Sequence, residues 1–536
     1  MPALLDERPV VVLGAGPVGQ TTALLLAHWG VRVVVVDPRP ERDLVGSKAI
    51  CQQRDVLDVW ETVGAGRQLA DEGVTWTTAR TFHRGDELFA VEFEDRGRSP
   101  FPPFVNISQS RTEQVLDERL AQTPLVEVRW GWEVVGLEQD EDGVRVRCTT
   151  PGGEAILSAP YVVACAGARA DAVRRMLGLA FEGSTFGDQF LICDVRTDLR
   201  GWERERRFYF DPEWNPGRQV LIHPCPDAIF RIDWQVPPDF DLFVEEASGR
   251  LDTRVRQVVG DRPYELVWKS VYRFHSRVVD RMQVRRVLVA GDAAHLMSPF
   301  GARGLNSGVL DAENAAWKLA FVLRGWAPPS LLASYHDERH AAALENLEVT
   351  GATMRFLVPQ DDAERDRRQS LLDRSRTDDD ARAQVDSGRL AEPFWYVDSP
   401  LTTPDRSRPF AGRPGTGHVP APAPGVLLPD CPVTCHDRAD VVRLRQLLRR
   451  GLTLLAGDDV DLDELRRALD GTAAEVDVRR MSDLAPELAG ILGARADEVW
   501  LVRPDAHVAA VVPGGSVQAT EHALRRLLAL PVPLPL

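Results

Sequence analysis

The first part of the chain alternates apolar runs with one amphipathic segment. Two valine-rich runs, PVVVLGAG and VRVVVVD, flank the segment PVGQTTALLLAHWG, in which leucine and alanine recur at helical spacing. Short apolar runs bounded by glycine or aspartate predict buried strands, and the intervening spacing predicts a helix. Residues 9–36 are therefore predicted to form a strand–helix–strand unit.

Further along, the pattern changes to short alternating segments and then to one long helical segment. VEVRWGWEVVGLEQD and GVRVRCTT lie between residues 74 and 162, and RQVLIHP, AIFRIDWQV and YELVWKSVYRF lie between residues 186 and 275. Alternation of apolar and polar residues predicts strands, and hence a second sheet. After residue 304, the alanine-rich segment LNSGVLDAENAAWKLAFVLRG predicts a long helix that ends at Gly325.

The last third of the chain begins with two polar or irregular stretches. Residues 361–383 are crowded with aspartate and arginine, and residues 411–429, AGRPGTGHVPAPAPGVLLP, are dense in proline and glycine, which is typical of a linker. The segments DVVRLRQLLRRGLTLL and EVWLVRP that follow predict a small α/β domain.

Composition narrows the class of protein. A chain of 536 residues predicts two or three domains, and 44% hydrophobic with 27% charged residues is typical of a soluble globular protein. No apolar run approaches the ~20 residues of a membrane span. The net charge of −16 disfavours binding to nucleic acid or anionic lipid, which favours small-molecule chemistry.

The N-terminus and the cysteines predict a cytoplasmic protein. The chain enters a strand at once, without the apolar core of a signal peptide. Seven cysteines are scattered without a CxxC pair or metal-ligand spacing, so we expect reduced thiols and no metal site. Cys431 and Cys435 come nearest to a pair, and a redox role for them is a minor alternative.

The sequence GAGPVG at residues 14–19 lies between the first predicted strand and helix, where a dinucleotide-binding turn belongs. Gly14 permits the tight turn, Gly16 lets the backbone approach a pyrophosphate, and Gly19 allows close helix–strand packing. Pro17 suits the first helical turn. Asp37 ends the second strand, where it can accept a hydrogen bond from a ribose hydroxyl and would repel a 2′-phosphate. The motif predicts FAD or NAD without separating them, and a turn needed only for packing is the alternative.

A second glycine-rich stretch, GDAAHLMSPFGARGLNSG at residues 291–308, points to FAD. FAD extends well beyond its ADP half, so it requires a second loop. Asp292 can accept hydrogen bonds from ribityl hydroxyls, and Gly301, Gly304 and Asn306 can bring backbone N–H groups close to the flavin ring. The helix that follows has a positive N-terminal end, which favours negative charge on the reduced ring.

This stretch, continued as VLDAENAAWKLA, resembles the flavin-binding signature of the FAD-dependent aromatic hydroxylases, the class A flavoprotein monooxygenases. The group is typified by para-hydroxybenzoate hydroxylase, phenol hydroxylase and 3-(3-hydroxyphenyl)propionate hydroxylase. Supporting pieces occur in the expected order: GAGPVG, SKAI followed by Arg54, NISQSRTEQVL with Gln109, LLASYHDERHAAALEN and LVRPDAHVA. Together they cover nearly the whole chain.

The resemblance implies an α/β and α+β architecture with three parts. A Rossmann-like FAD-binding domain comprises residues 1–73, 101–182 and 281–360, and a β-sheet substrate domain comprises residues 74–100 and 183–280. A helical segment and linker, 361–424, leads to a thioredoxin-like C-terminal domain, 425–536. That domain lacks CxxC, so we expect it to serve packing or dimerisation, and the protein to be a monomer or homodimer.

The implied activity is hydroxylation of a phenolic or polycyclic aromatic substrate. NADH or NADPH would reduce FAD as a transient reductant, O2 would add to the flavin as a C4a-hydroperoxide, and the distal oxygen would pass to the ring. Two alternatives stay open: another flavin-peroxide reaction, such as epoxidation, Baeyer–Villiger insertion or oxidative decarboxylation, or a non-catalytic flavin-binding sensor or partner protein.

The resemblance also assigns residues. The implied FAD contacts are Gly14, Gly16, Pro17, Gly19, Asp37, Arg39, Lys48, Arg54, Gln109, Asp292, Gly304, Leu305 and Asn306. Pro299 belongs to the loop beside the flavin ring and is counted with the catalytic residues. The implied substrate-pocket residues are Phe208, Phe210, Arg231 and Trp234. His223 is the best candidate for a base, an ordinary structural histidine being the alternative, whereas His295 matches a structural position.

Two departures from the family pattern bear on function. Members usually carry Cys-Asp-Gly before a helix, and here Ala166 replaces the aspartate, a loss of a charged hydrogen bond worth about 1.5 to 3 kcal/mol. Asp171 is a candidate to substitute for it in nicotinamide binding. In the ring loop, Ala302 and Arg303 replace the commoner Gly-Gln, and Arg303 is expected to add a cation near the reduced flavin.

Overall fold

The computed structural model describes residues 4–43, 46, 49–93, 99–414, 418–469 and 472–531. Its N-terminal sheet has six strands, parallel except for the first pair, in the spatial order Gln283–Val284, Val287–Val289, Val162–Ala164, Val10–Leu13, Val33–Asp37 and Val126–Trp130. The central strands are buried along their whole length, as parallel strands covered on both faces must be. The predicted strand–helix–strand unit is thus confirmed.

Helices connect these strands and cover them. Within this part of the chain they are Pro17–His28, Arg54–Glu61, Gly66–Glu72, Gln109–Ala121, Asp171–Met176 and Arg303–Leu323. The last is the predicted long helix, and Gly325 follows its end in a left-handed conformation, with φ +69°. Pro17 is the first residue of its helix, as predicted.

Two small antiparallel sheets flank the N-terminal sheet. The strands Glu133–Gln139, Val144–Thr150 and Gly153–Ala159 form a meander. The second small sheet has the order Cys51–Gln53, Phe104–Asn106 and Val74–Thr75. It places residue 53 next to the ring loop described below.

The largest sheet has eight strands, in the order His295–Leu296, Glu265–Val279, Phe181–Arg196, Ile229–Val236, Gln219–Cys225, Glu205–Phe210, Thr78–His83 and Asp86–Glu92. Two helices, Leu242–Ala247 and Arg250–Val259, lie beside one of its faces, where apolar side chains of both form a single core. The small sheet lies against the end of the strand Gln219–Cys225, where Asn106 Nδ2 donates to the main-chain oxygen of Pro224 at 2.8 Å.

A helical region joins this sheet to the C-terminal part. It comprises Ala333–Leu357, Asp362–Arg374 and Asp379–Arg382, so the acidic and basic stretch 361–383 is largely helical. The described residues of the proline-rich stretch 411–429 contain neither a helix nor a named strand, but the end of the stretch packs on the C-terminal part, where Val426 is buried and Gly425 N donates to Val508 O at 2.7 Å.

The C-terminal part holds a four-stranded mixed sheet in the order Val476–Arg480, Leu452–Ala456, Val499–Val502 and Val508–Val512. Its helices are Leu444–Leu448, Leu462–Leu469, Met481–Leu484, Leu488–Leu492 and Val517–Leu527. Cys431 and Cys435 are both buried and unbonded. One hydrophobic cluster runs from the N-terminal sheet through Trp317 and Phe321 to Leu454 and Leu501, so the C-terminal sheet shares a core with the FAD-binding part.

Neither a membrane-spanning helix nor a metal-binding cluster is found among the described residues. No helix there is both long and apolar enough for a membrane span, and no group of three or more histidine, cysteine and acidic side chains is arranged to hold a metal ion.

Candidate active site

The first glycine turn has the shape that a pyrophosphate requires. Gly14 has φ +102°, and a Cβ on Gly19 would lie 1.9 Å from the oxygen of Gly14, so neither position tolerates a side chain. Above Gly16 the space is open, because a Cβ there would meet no atom within 4 Å. Gly16 is also the N-cap of helix Pro17–His28 and supplies no side-chain cap, which leaves the helix N-terminus available to an anion.

Asp37 stands at the end of its strand, beside this turn. Its Oδ2 accepts from the main-chain nitrogen of Ala15 at 2.8 Å, and its two oxygens accept from Arg39 Nε and Nη2 at 2.9 and 3.0 Å. Burial alone would raise the pKa of Asp37, but the hydrogen bonds from Arg39 and Ala15 prevail and lower it. The guanidinium of Arg39 lies 5.5 Å from the ring centre of Trp130. An ionised carboxylate paired with an arginine that packs on an aromatic ring fits the adenosine half of FAD.

The other predicted contacts of this region lie at helix beginnings. Arg54 is the first residue of helix Arg54–Glu61, and Gln109 is the first residue of helix Gln109–Ala121. Gln109 Oε1 accepts from the main-chain nitrogen of Ala49 at 3.1 Å, so the segment before Arg54 is tied to the start of the second helix. Lys48 lies outside the described residues.

Asp292 follows the strand Val287–Val289, in a 3₁₀ turn, Gly291–Ala293, at the carboxyl edge of the parallel sheet, where α/β proteins bind ligands. Asp292 is exposed to solvent, whereas the residues immediately before and after it are buried. The turn is held from behind by Asp311, which accepts from Gly291 N at 3.0 Å and bonds His295 Nε2 at 2.8 Å.

Asp311 is fully buried and ionised. Burial alone would raise its pKa, but Arg339, whose Nε lies 2.7 Å from Oδ1, and His295 bring the pKa of Asp311 down to about 2. His295 has 0% exposure. We therefore assign His295 to holding the loop, in agreement with the structural position predicted for it.

The ring loop, residues 299–306, turns sharply before the long helix. Ala302 N donates to the oxygen of Pro299 at 2.9 Å, and Gly301 and Ala302 adopt φ +102° and +56°. The helix begins at Arg303, so Gly304 and Leu305 lie in its first turn. A Cβ on Gly304 would meet nothing within 4 Å, and Pro299 is exposed. This opening fits a planar ring against a helix N-terminus.

Asn306 acts through its side chain rather than through its backbone alone. Its Oδ1 accepts from Gln53 N and its Nδ2 donates to Cys51 O, both at 3.0 Å. These two bonds fix the ring loop against the small sheet.

Arg303 does not have the predicted role. Its side chain is 2% exposed, and it donates to the main-chain oxygens of Arg389 and Leu390 and to Asn346 Oδ1, the last at 2.7 Å. Burial lowers the pKa of Arg303 to about 10. The expected cation beside the reduced flavin is instead a buried clamp that holds segment 389–390, because a buried guanidinium must find acceptors and the carbonyls of that segment supply them.

The loop that carries Ala166 packs directly on the first glycine turn. A Cβ on Gly14 would lie 3.2 Å from the Cα of Ala166. Asp171 begins the next helix with an exposed carboxylate that accepts from Arg174 Nη1 at 2.9 Å. Arg174 is buried and donates to the main-chain oxygens of Asp292 and Ala293, each at 2.9 Å. Asp171 is thus joined to the Asp292 turn through one arginine.

On the eight-stranded sheet, pairing places His223 directly opposite Arg231, and Arg231 directly opposite Asp194. Arg231 Nε and Nη2 bond the two oxygens of Asp194 at 2.8 and 2.9 Å. His223 is half-buried, and the face of the sheet that carries His223 and Arg231 is called the cleft face from here on. Burial, together with Arg206 and Arg231, holds the pKa of His223 well below its usual value, so the ring is neutral at pH 7.

Phe208 and Phe210 have 0% exposure and leave no surface for a ligand in this structure. They belong to an aromatic cluster in which Phe300 of the ring loop lies 6.0 Å from Phe208, ring centre to ring centre. In this structure Phe208 and Phe210 are therefore core residues and do not line a substrate pocket, contrary to the prediction. Phe208 lies against Phe300, and Phe210 packs on Phe208 and Phe356.

Trp234 is separated from the other predicted pocket residues. Side chains alternate along a strand, so Trp234 and Arg231 point to opposite faces of the sheet. Trp234 is fully buried among Leu251, Val255 and other residues beneath the helices Leu242–Ala247 and Arg250–Val259. The prediction that Trp234 binds substrate was wrong, because Trp234 lies on the sheet face that the two helices cover, opposite to the face that carries Arg231.

Two residues of the cleft face were missed by the sequence analysis, namely Arg206 and Asp233. Asp233 follows Arg231 by two positions and shares its face, while Arg206 precedes the predicted Phe208 by two positions. Both could have been found from the alternation of side chains along a strand, because residues i and i+2 lie on the same face of the sheet. The sequence could not show which of the two faces is the cleft.

The comparisons with known proteins agree with this geometry. Residues 7–350 match the family described as FAD binding domain, and residues 421–531 match the family described as aromatic-ring hydroxylase, C-terminal. The chain is 34% identical over 354 residues to a 3-(3-hydroxy-phenyl)propionate/3-hydroxycinnamic acid hydroxylase of Comamonas testosteroni, a match that spans 65% of this chain and 58% of that protein.

Two further similarities cover more of the matched protein. A para-nitrophenol 4-monooxygenase of Pseudomonas sp. strain WBC-3 is 30% identical over 382 residues, which span 69% of this chain and 92% of that enzyme. The crystal structure of a flavin-dependent monooxygenase in complex with FAD and substrate superposes with a TM-score of 0.85 at 24% identity, covering 99% of this chain and 100% of that one, and thereby confirms the predicted fold class. The chain therefore belongs to the flavoprotein family that carries this FAD-binding domain.

Proposed function

We propose that the protein is an FAD-dependent monooxygenase that hydroxylates a phenolic or polycyclic aromatic substrate with O2 and NADH or NADPH. One observation carries the proposal: both halves of an FAD cradle meet at one edge of the parallel sheet. The strands that end before Gly14, Cys165 and Gly291 are adjacent and parallel, so their loops share that edge. The names of the relatives, hydroxylases and monooxygenases of phenolic rings, support the same reading.

The residues of the cradle fit the cofactor without further change. Open space above Gly16 and Gly304 and two uncapped helix N-termini match a pyrophosphate and a ring that becomes anionic on reduction. We propose that Gly14, Gly16, Pro17, Gly19, Asp37, Arg39, Arg54 and Gln109 hold the ADP half, and that Asp292, Gly304, Leu305 and Asn306 hold the ribityl chain and ring. When bound, FAD supplies electron transfer from the nicotinamide and activation of O2.

The chain's own residues would then prepare the substrate. The aromatic cluster behind Phe300 excludes water from that side of the ring loop, which would limit side reactions with water during turnover. We propose that His223 is the base: burial, Arg206 and Arg231 keep its imidazole neutral at pH 7, and a neutral imidazole has a ring nitrogen that can accept the proton of a substrate hydroxyl. Pro299 would line the loop between ring and substrate.

The remaining assignments follow from composition and burial. All seven cysteines are free, and all but Cys225 are buried, which suits a reducing, cytoplasmic location. We propose the three-part division into an FAD-binding domain, a substrate domain and a C-terminal domain with the boundaries predicted above, and a monomer or homodimer as the oligomeric state. The shared core and the lack of a CxxC favour a packing role for the C-terminal domain.

The test is the visible absorbance of the bound flavin under anaerobic conditions during titration with NADPH and then NADH, with and without a panel of phenols. We expect bleaching of the oxidised flavin, accelerated by a phenol that is a substrate, and hydroxylated product once O2 is admitted. A flavin that stays oxidised with every donor and ligand would instead favour a non-catalytic flavin-binding protein, with Ala166 as the cause.

A further inference from the structure

A buried arginine of the C-terminal part, Arg445, bonds the beginning of a helix at the cofactor site. It is 8% exposed, and its Nη1 donates to Asp55 Oδ1 at 2.7 Å. Burial alone would lower the pKa of Arg445, but Asp55 and Asp58 prevail and raise it. Asp55 lies in the first turn of the helix Arg54–Glu61, directly after Arg54, a predicted FAD contact. The ion pair therefore ends one residue from the cofactor site.

The position of Arg445 is fixed independently of this pair. Its main-chain nitrogen donates to Asp430 Oδ1 at 3.0 Å, and its Nε donates to the main-chain oxygen of Leu428 at 2.8 Å. Asp430 is held in turn by Arg443, whose Nε lies 2.8 Å from Oδ2. Because a guanidinium is a rigid planar fork, bonds at the backbone and at Nε also fix the direction of Nη1. Arg445 can thus serve as a fixed point for Asp55.

Asp55 passes this restraint to Gln53. Its Oδ2 accepts from Gln53 Nε2 at 2.9 Å, and this is the single hydrogen bond that the described residues give the Gln53 side chain, since Oε1 has no partner. Gln53 is buried, and a buried amide with one hydrogen bond depends strongly on that bond. The conformation of Gln53 therefore depends on Asp55, and that of Asp55 on Arg445.

Gln53 is also the residue that holds the ring loop. Its main-chain nitrogen donates to Asn306 Oδ1, and Asn306 Nδ2 donates to Cys51 O, both at 3.0 Å. Gln53 is the last residue of the strand Cys51–Gln53 and the N-cap of the helix that follows, so it lies at the junction of two elements. A shift of Gln53 would therefore move the anchor of Asn306.

We propose that Arg445 is a positioning residue of the flavin site, which acts through Asp55 and Gln53 on the ring loop at Asn306. The route consists of the three hydrogen bonds described above, and all four of its residues are buried. Through this route the C-terminal part orders the loop beside the flavin ring, in addition to its packing role. The inference rests on the proposed flavin site and does not depend on the identity of the substrate.

Arg449 provides a matched control from the same interface. It follows Arg445 by one helical turn, is 5% exposed, and bonds Asp58 Oδ2 and Glu313 Oε1 at 2.5 and 2.7 Å. Arg445 Nη1 also reaches Asp58 Oδ2, at 3.3 Å, so the two arginines share part of the interface. Among the described residues, no side-chain hydrogen bond joins Asp58 or Glu313 to Gln53 or to the ring loop. Replacement of Arg449 should therefore weaken the interface without breaking the route.

The experiment measures hydrogen–deuterium exchange of the full-length, FAD-loaded protein by mass spectrometry, together with the dissociation constant for FAD. Peptides that cover residues 51–53 and 299–306 report on the route. Arg445→Gln should raise the exchange rate of the ring loop about tenfold and weaken FAD binding about 3- to 10-fold, the factor expected for one lost hydrogen bond. Arg449→Gln should leave both quantities within about twofold, although urea unfolding should show a similar loss of stability in the two variants.

The variant Gln53→Met cuts the route without touching the interface. Methionine is similar in length to glutamine but cannot donate to Asp55, so ring-loop exchange should rise about as much as in Arg445→Gln. Addition of Arg445→Gln to Gln53→Met should then change ring-loop exchange by less than about twofold, because two substitutions that break the same route are not additive.

Equal ring-loop exchange in Arg445→Gln and Arg449→Gln, no increase in Gln53→Met, or additive effects in the double variant would overturn the route and leave Arg445 an interface residue. If Arg445→Gln does not fold, Gln53→Met decides alone. Failure of the proposed function is distinguishable, because neither readout requires turnover. The expected exchange pattern with a flavin that no nicotinamide reduces would keep the route and remove the monooxygenase, whereas hydroxylation with equal exchange in both arginine variants would do the reverse.

Discussion

Two buried ionic clusters of this protein differ in whether their charges are balanced. The first, the interface cluster, joins the helices Arg303–Leu323 and Ala333–Leu357 to the C-terminal part through Lys318, Glu338, Arg503 and Asp505. Glu338 bonds Lys318 Nζ at 2.6 Å and both terminal nitrogens of Arg503 at 2.5 and 2.9 Å, and Arg503 bonds Asp505 at 2.6 Å. Every member of this cluster has an opposite charge beside it.

The second cluster, on the cleft face of the eight-stranded sheet, is incomplete. Arg231 and Asp194 pair, but Arg206, His223 and Asp233 keep unsatisfied charge or polar atoms. The pKa values follow the same division. Arg503 and Lys318 overcome burial and hold the pKa of Glu338 below its usual value, whereas burial prevails at Asp233 and raises its pKa.

The difference separates stability from function. A fully paired buried cluster fixes one arrangement of two parts of the chain, and loss of one partner leaves the other stranded. An unpaired cluster in a cleft reduces the stability of the free protein, and its retention is explained when a ligand completes it.

The largest effect is expected when the interface cluster loses its central charge. Glu338→Gln should reduce the free energy of unfolding by about 3–5 kcal/mol, because two buried cations lose their common partner. Denaturant unfolding of the FAD-loaded protein measures this. The control is Glu521→Gln, from an exposed pair with Arg525, which should cost less than about 0.5 kcal/mol. Similar losses in both variants would remove the contrast between the clusters.

In the cleft cluster, replacement of Asp233 should instead raise the free energy of unfolding. Its folded-state pKa of about 7 lies above the ordinary value of 3.8, so wild-type stability falls as the pH rises from about 4 to 7 and is level above that. Arg231, Asp194 and Arg206 are the charged groups that influence it. Asp233→Asn removes this loss and should be more stable than wild type by roughly 1–3 kcal/mol at pH 8, and by much less at pH 5. Unfolding free energies at the two pH values are the measurement. A variant less stable than wild type at pH 8 contradicts it.

Arg206→Met tests the same contrast with a smaller effect. Replacement of this buried cation, which has no ion pair among the described residues, by an apolar side chain of similar length should leave stability unchanged or raise it by up to about 2 kcal/mol. Thermal unfolding of the FAD-loaded protein measures the effect. A large destabilisation would show that Arg206 is already satisfied in the free protein.

The smallest effect on stability is expected at the rim of the cofactor site. Asp171→Ala removes an exposed carboxylate from buried Arg174, which keeps its bonds to the main-chain oxygens of Asp292 and Ala293, so the variant should cost less than about 1 kcal/mol. We nevertheless expect slower anaerobic reduction of the flavin by NAD(P)H, since Asp171 is the candidate substitute for the acid lost at Ala166. Stopped-flow absorbance measures the rate. Unchanged reduction kinetics would reject this role for Asp171.

Local features of the FAD site could be predicted from the sequence, because contiguous residues encode them. The turn at Gly14 needs a positive φ and no Cβ, the helix begins at Pro17, and the ring loop ends where the long helix starts at Arg303. Each of these requirements is met within a few neighbouring residues, so the local sequence is sufficient to predict it.

The substrate side was less predictable, because the strand period gives two faces without saying which one is the cleft. Trp234 and Arg231 were both predicted to bind substrate, although alternation allows only one of them to face the cleft. Arg303 was expected beside the flavin, but the carbonyls of segment 389–390, more than 80 positions away, determine where its guanidinium lies.

By itself, the sequence determined the existence of an FAD cradle and the fold class, since both depend on short-range backbone geometry and hydrophobic period. Only the tertiary structure decided which charges are paired. Arg206, His223, Arg231 and Asp194 come from four strands whose register is set by packing across the whole sheet. The interface cluster likewise joins Glu338 to Arg503, 165 positions apart. Burial and long-range register, which no local pattern fixes, determine whether a charged residue stabilises the fold or awaits a ligand.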